Sequence, residues 1–124
     1  DEQKAAALRE AGAEVEVLAS NNGRVDLPSV MECLARHDIN EVMVEAGATL
    51  CGAMLQANLL DELVIYMAPL MLGDEARGLM SLPGLQQMAD RIKLEIDDMR
   101  AVGQDWRIQA RPVVKQAKQT KQTK

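Results

Sequence analysis

Apolar and polar positions change their period several times along the chain, and each change predicts an element. Ala5-Ala6-Ala7-Leu8 lie in a helix-favouring stretch that Gly12 closes. Ala13-Glu14-Val15-Glu16-Val17-Leu18 alternates apolar with charged, the pattern of a strand with one wet face. Asn21-Asn22-Gly23 has turn chemistry. Asp26 is placed to cap a second helix and Pro28 is tolerated in its first turn, with Val30, Met31, Leu34 and Ala35 on one side. Val42-Met43-Val44 reads as a short strand ending at Glu45. After Gly47 comes a third helix with Leu50, Cys51, Met54 and Leu55 on its buried side. Leu63-Val64-Ile65-Tyr66-Met67-Ala68 is continuously apolar, as in a strand covered on both faces, and Pro69 ends it.

Strand and helix thus alternate, which predicts a parallel sheet with crossover helices. The remainder differs in kind. Residues 73–84 are loop-rich, and then Leu94-Glu95-Ile96-Asp97 and Trp106-Arg107-Ile108-Gln109 alternate in period two around Gly103. That pair predicts an antiparallel hairpin at the sheet's edge. The expected fold class is α/β, a mixed sheet finished by a carboxyl-terminal hairpin. Because the chain opens on a helix with no strand before it, it reads as the second half of a larger domain.

Composition narrows this. With 124 residues, 48% hydrophobic and 27% charged, there is material for one modest core. One Trp, one Tyr and no Phe leave eight Met and the aliphatic residues to fill it. No run of 18 apolar residues exists and no signal peptide opens the chain, so the expected location is cytoplasmic, without membrane contact. Two cysteines supply neither a disulfide framework nor a zinc cluster. The net charge of −5 conceals an asymmetry: residues 107–124 carry six basic residues and no acid, leaving eight bases against 19 acids in residues 1–106. So acidic a body repels phosphate backbones, which excludes a nucleic-acid partner. Residues 113–124 are expected to form a disordered basic tail, apart from an ordered part at 1–112.

The candidate chemistry gathers in Val42-Met43-Val44-Glu45-Ala46-Gly47-Ala48-Thr49-Leu50-Cys51-Gly52-Ala53. A strand ends in a carboxylate, a glycine turn follows and a helix begins; open α/β sheets bind ligands at such strand ends. Free N–H groups at a helix start suit a phosphate. Ala53-Met54 stands where a P-loop needs Lys-Ser/Thr, and no dinucleotide fingerprint occurs. An ordinary strand-to-helix turn accounts for the same glycines. Elsewhere, His37 is expected to cap a helix end and Cys33 and Cys51 to pack. Asp61-Glu62 and Arg77 are expected to be solvated, Asp97-Asp98 could recruit a metal but have no histidine or third acid beside them in sequence, and Met67, Met71 and Met80 are expected to fill core or interface gaps.

Val44-Glu45-Ala46-Gly47-Ala48-Thr49-Leu50, then Asp61-Glu62-Leu63-Val64-Ile65-Tyr66-Met67-Ala68-Pro69, Leu72-Gly73 and Val102-Gly103-Gln104-Asp105, resembles the reductase domain of riboflavin biosynthesis from about Ala5 to Arg111. That resemblance implies a dihydrofolate-reductase-like fold and NADPH-dependent reduction of the ribosyl group of 5-amino-6-(5-phosphoribosylamino)uracil to ribityl. It implies substrate contact by Glu45 and NADPH contact by Gly47, Ala48, Thr49, Leu50, Cys51, Gly52 and Ala53. No metal is implied; a homo-oligomer and a fused deaminase upstream are. The commonest family form has glycine where Ala46 stands and proline where Ala48 stands, so the turn must manage with Gly47 alone. Two alternatives stay open: a stand-alone relative of dihydrofolate reductase acting on another pyrimidine or pterin, and a non-catalytic assembly module.

Overall fold

A computed structural model of the chain describes residues 1–113. The expected basic tail lies, from residue 114 onward, outside the described residues. The chain divides into two compact units at Val42/Met43.

In the first unit, α1 spans Glu2–Glu10, where the Asp1 carboxylate accepts the Lys4 N–H at 3.3 Å and Arg9 pairs with Glu2 at 3.2 Å. Gly12, at φ +88°, turns the chain out of the helix. Strands β1 (Ser20–Asn21) and β2 (Arg24–Val25) form a minimal antiparallel hairpin. Asn22 and Gly23 both take positive φ, 52° and 74°, as a type I′ turn requires. Helix α2 spans Leu27–Arg36 and its start is set by Asp26, whose carboxylate accepts the Ser29 N–H at 3.0 Å and the Ser29 hydroxyl at 2.7 Å. Those bonds hold the Asp26 carboxyl below the ordinary aspartate value. Cys33 is the buried residue of α2, flanked by half-buried Leu27, Val30, Met31 and Leu34.

In the second unit, α3 spans Ala48–Gln56, β3 Leu63–Met67, a 3₁₀ turn Met88–Asp90, β4 Leu94–Val102 and β5 Asp105–Pro112. The sheet order is β3-β5-β4 and both pairings are antiparallel. Gly103, at φ +62°, makes the two-residue turn between the paired Val102 and Asp105. Register fixes the two faces, because directly opposed residues point the same way. One face carries Leu63, Ile65 and Met67 beside Ala110, Ile108 and Trp106, then Ile96, Met99 and Ala101. The other carries Val64 and Tyr66 beside Gln109 and Arg107, then Asp98 and Arg100. The buried core of this unit is Met54, Leu55, Leu63 and Ala110.

Mixed α/β architecture and the closing hairpin are as expected, but several details differ. Residues 13–18 and 42–44 run without a ladder, so among the described residues there is no parallel pairing. Their patterns suit a pleated surface, yet a strand is made by hydrogen bonding to a neighbour, and neither segment has one here. Val17 and Met43 stand 80% and 83% exposed accordingly. Strand β3 is not covered on both faces, since Tyr66 is 61% exposed. The hairpin is not confined to an edge: β5 is the central strand and β4 the edge. Leu50, expected inside, is exposed on α3.

Candidate functional site

Glu45 lies exposed on the extended segment that feeds α3. Gly47 is the N-cap, at φ −71° and ψ 167°, a conformation open to any residue. Neither Ala46 nor Gly47 takes positive φ, so the turn needs no left-handed residue, and alanine at 46 is unstrained. A Cβ at Gly47 would meet no atom within 4 Å. The glycine is therefore demanded neither by backbone conformation nor by packing; what it provides is a bare approach to the helix start. No side chain caps α3, and the N–H groups of a first helical turn have no partner within the helix. Beside Glu45 the chain thus presents a carboxylate that accepts hydrogen bonds and a row of amide donors that attract negative charge.

The rest of the candidate set divides by exposure. Thr49 and Leu50 are exposed, while Ala48, Cys51 and Ala53 are half-buried. The Cys51 thiol donates to the Ala46 carbonyl at 3.3 Å, tying the turn to the first turn of the helix. Gly52 is buried for a reason of its own: a Cβ there would collide with the backbone carbonyl of Ser81. The Ser81 N–H donates to the Ala48 carbonyl at 2.9 Å, and Gln56 Nε2 donates to the Pro83 carbonyl at 2.8 Å. Residues 81–83 thus run along α3, an arrangement the sequence announced only through the small residues at 48 and 52.

The remaining candidates have structural partners or none in chemistry. His37 is the C-cap of α2, with Nδ1 2.9 Å from the Cys33 carbonyl and Nε2 3.7 Å from a Glu16 oxygen, which agrees with the capping expectation. Asp97 accepts a bidentate pair from Arg111, at 2.8 Å on each oxygen, and that hydrogen bonding lowers its carboxyl and raises the guanidinium. Asp98 faces Arg107 at 3.3 Å and Arg100 at 3.6 Å, so both acids of that pair are engaged by arginine. Glu62 is not simply solvated, since it accepts from Gln109 at 2.6 Å. Among the described residues no group of three or more His, Cys, Asp or Glu could hold a metal ion. Met71 is fully exposed and fills no gap in this chain. A cleft of about 300 Å³ opens at the other end of α3, lined by Leu55, Gln56, Asn58 and Leu85 with Arg91 and Pro112. None of the candidate residues from Glu45 to Ala53 lines it.

Comparison with known proteins bears on this arrangement. The family model described as the RibD C-terminal domain matches residues 1–108. The riboflavin biosynthesis protein RibD of Escherichia coli is 46% identical over 89 residues, covering 72% of this chain and 24% of that protein. A 5-amino-6-(5-phosphoribosylamino)uracil reductase of Buchnera aphidicola is 34% identical over 88 residues, covering 71% of this chain and 42% of the relative. Among solved structures, Acinetobacter baumannii RibD (form 2) superposes with a TM-score of 0.68 at 32% identity, over 73% of this chain and 27% of that one. This likeness places the mixed α/β architecture on part of a dihydrofolate-reductase-like fold. The chain spans about a quarter of the length of the Escherichia coli relative.

Proposed function

Because the chain belongs to the RibD C-terminal domain family, we propose that it is the carboxyl-terminal part of an NADPH-dependent reductase. The reaction is conversion of the ribosyl group of 5-amino-6-(5-phosphoribosylamino)uracil to ribityl in riboflavin biosynthesis. The observation that carries this reading is the bare, uncapped turn at Gly47 directly after Glu45. An anionic cofactor needs unpartnered amides and room for close approach, and both are present. Gly47, Ala48, Thr49, Leu50, Cys51 and Ala53 line that approach, while Gly52 serves by letting Ser81 lie flat on the helix. When bound, NADPH supplies the hydride; a proton completes the two-electron reduction. Glu45 accepts hydrogen bonds from the ribose hydroxyls or the pyrimidine amino group and so orients the sugar.

Partners follow the same reading. The protein acts on a small-molecule pyrimidine ribosyl phosphate in the cytoplasm, in company with an upstream deaminase domain. It associates with itself, which the exposed Ile96, Met99 and Trp106 on one sheet face support. Gly47→Val in the intact protein tests the site. A branched side chain there blocks close approach without colliding with the chain itself, so NADPH affinity measured by fluorescence titration is expected to fall at least tenfold with thermal stability nearly unchanged. Unaltered affinity would remove the turn from the cofactor site.

A further inference from the structure

Helix α3 lacks the side-chain devices that hold the ends of the other two helices. It has nine residues, no capping side chain, no acid in its first turn and no base in its last. Helices α1 and α2 each begin on a capping aspartate and end with an arginine in the last turn. A helix so short and so poorly terminated is marginal by itself. What α3 has instead is a second segment laid along it. Ser81 donates its N–H to the Ala48 carbonyl in the first turn, the Ser81 carbonyl rests against Gly52, and Gln56 donates to the Pro83 carbonyl in the last turn. Positions 48, 52 and 56 are four apart, so the three contacts form one stripe from end to end of the helix.

We propose that residues 81–83 are a strap that sets the position of the first turn of α3, with Gly52 and Gln56 as positioning residues for the cofactor. The inference rests on the reading that this turn holds the nicotinamide cofactor. The strap takes one face of the helix and leaves Thr49 and Leu50 exposed. It grips Ala48 through a carbonyl, leaving that residue's amide on the ligand side. Gln56 is two turns away from Ala48 and touches the turn only through the strap and the helix itself. Any effect of Gln56 on cofactor affinity therefore travels by position, not by contact.

The test uses the intact protein and NADPH titration beside thermal unfolding. Gln56→Glu keeps the side chain's shape but replaces the donor with an acceptor facing the Pro83 carbonyl; Gln56→Lys keeps a donor. Gln56→Glu is expected to weaken NADPH binding about three- to tenfold, the scale of one net hydrogen bond, and Gln56→Lys to restore it. Gly52→Ala, which must push the Ser81 backbone away, is expected to lose on the order of 10²-fold in kcat/KM for NADPH through misplacement of the turn. If Gly47→Val weakens binding while Gln56→Glu lowers only the melting temperature, or Gln56→Lys behaves like Gln56→Glu, the strap is a folding element and the proposal is overturned. If Gly47→Val itself leaves NADPH affinity unchanged, the cofactor reading falls and the proposal with it.

Discussion

Glu45 owes its role in the proposed site to position and to lack of competition. It is exposed, makes no ion pair among the described residues, and stands two residues before the N-cap of a helix that no side chain caps. Three of the other carboxylates that drew notice in the sequence are occupied: Asp97 by Arg111, Asp98 by Arg107 and Arg100, Glu62 by Gln109. A charge-assisted hydrogen bond from Glu45 to substrate is worth roughly 1.5–3 kcal/mol. Glu45→Gln in the intact enzyme is therefore expected to raise the substrate dissociation constant about ten- to hundredfold, with NADPH affinity close to wild type. Isothermal titration with each ligand separates the two, and equal losses in both would make Glu45 a structural residue of the turn. The same residue shows what the sequence could carry. Glutamate followed by a glycine before a helix is visible as text, whereas the engagement of Asp98 and Asp97 depends on cross-strand arginines nine and 14 positions away and that of Glu62 on Gln109, 47 positions away.

Elements whose signals are local were legible, and elements that need a distant partner were not. Helix α2 is announced by Asp26, Pro28 and a one-sided apolar stripe, and it forms between Leu27 and Arg36. The closing hairpin is announced by two alternating runs around Gly103, and it forms. Residues 13–18, which alternate as well, and the short apolar run 42–44 find no neighbour, because a local pattern reports which surface a residue suits and not whether another strand is adjacent. The local logic of α2 also fixes its response to pH. Asp26 has its folded-state carboxyl held below the ordinary value of 3.8 by Ser29, so the stability it lends is present above that value and is lost as pH falls through the folded-state value. Asp26→Ala is expected to lower the melting temperature at pH 7 and to do so progressively less as the pH is taken down below 3.8. Asp26→Asn, which still accepts from Ser29, is expected to retain most of the cap while flattening this acid limb. Circular dichroism melts across that range check both.

At the scale of the whole molecule the balance of surfaces is unusual. Among the described residues, the two small units carry five buried apolar residues between them, against 21 large hydrophobic residues that stand exposed. No helix among the described residues is long and apolar enough to cross a membrane. One face of the three-stranded sheet is almost wholly apolar, and Met67, Ile96, Met99 and Trp106 on it are each more than two-fifths exposed. Apolar area of this kind gains about 25 cal/mol per Å² when covered, which favours association. Light scattering is expected to show a species larger than a monomer, and Ile96→Lys with Met99→Lys to shift it toward the monomer. A monomeric wild-type protein at micromolar concentration would mean that this face is left to solvent.

Strand β4 carries one residue more than its partner can oppose: Ile96 faces Ala110, Asp98 faces Gln109, and Asp97 falls between. Were Asp97 paired in regular register instead of bulged, Ile96 and Leu94 would fall on the charged face of the sheet and Glu95 on the apolar one. Removing Asp97 leaves Leu94-Glu95-Ile96-Asp98-Met99 in unbroken alternation, with every side chain keeping its present face. A loss of one residue, which in an ordinary strand exchanges inside for outside, is here a silent edit of chain length. The Asp97 deletion is accordingly expected to fold with the Ile96–Ala110 and Met99–Ile108 neighbours intact by NMR and to forfeit only the Arg111 clamp, so that β4 tolerates two lengths in one frame.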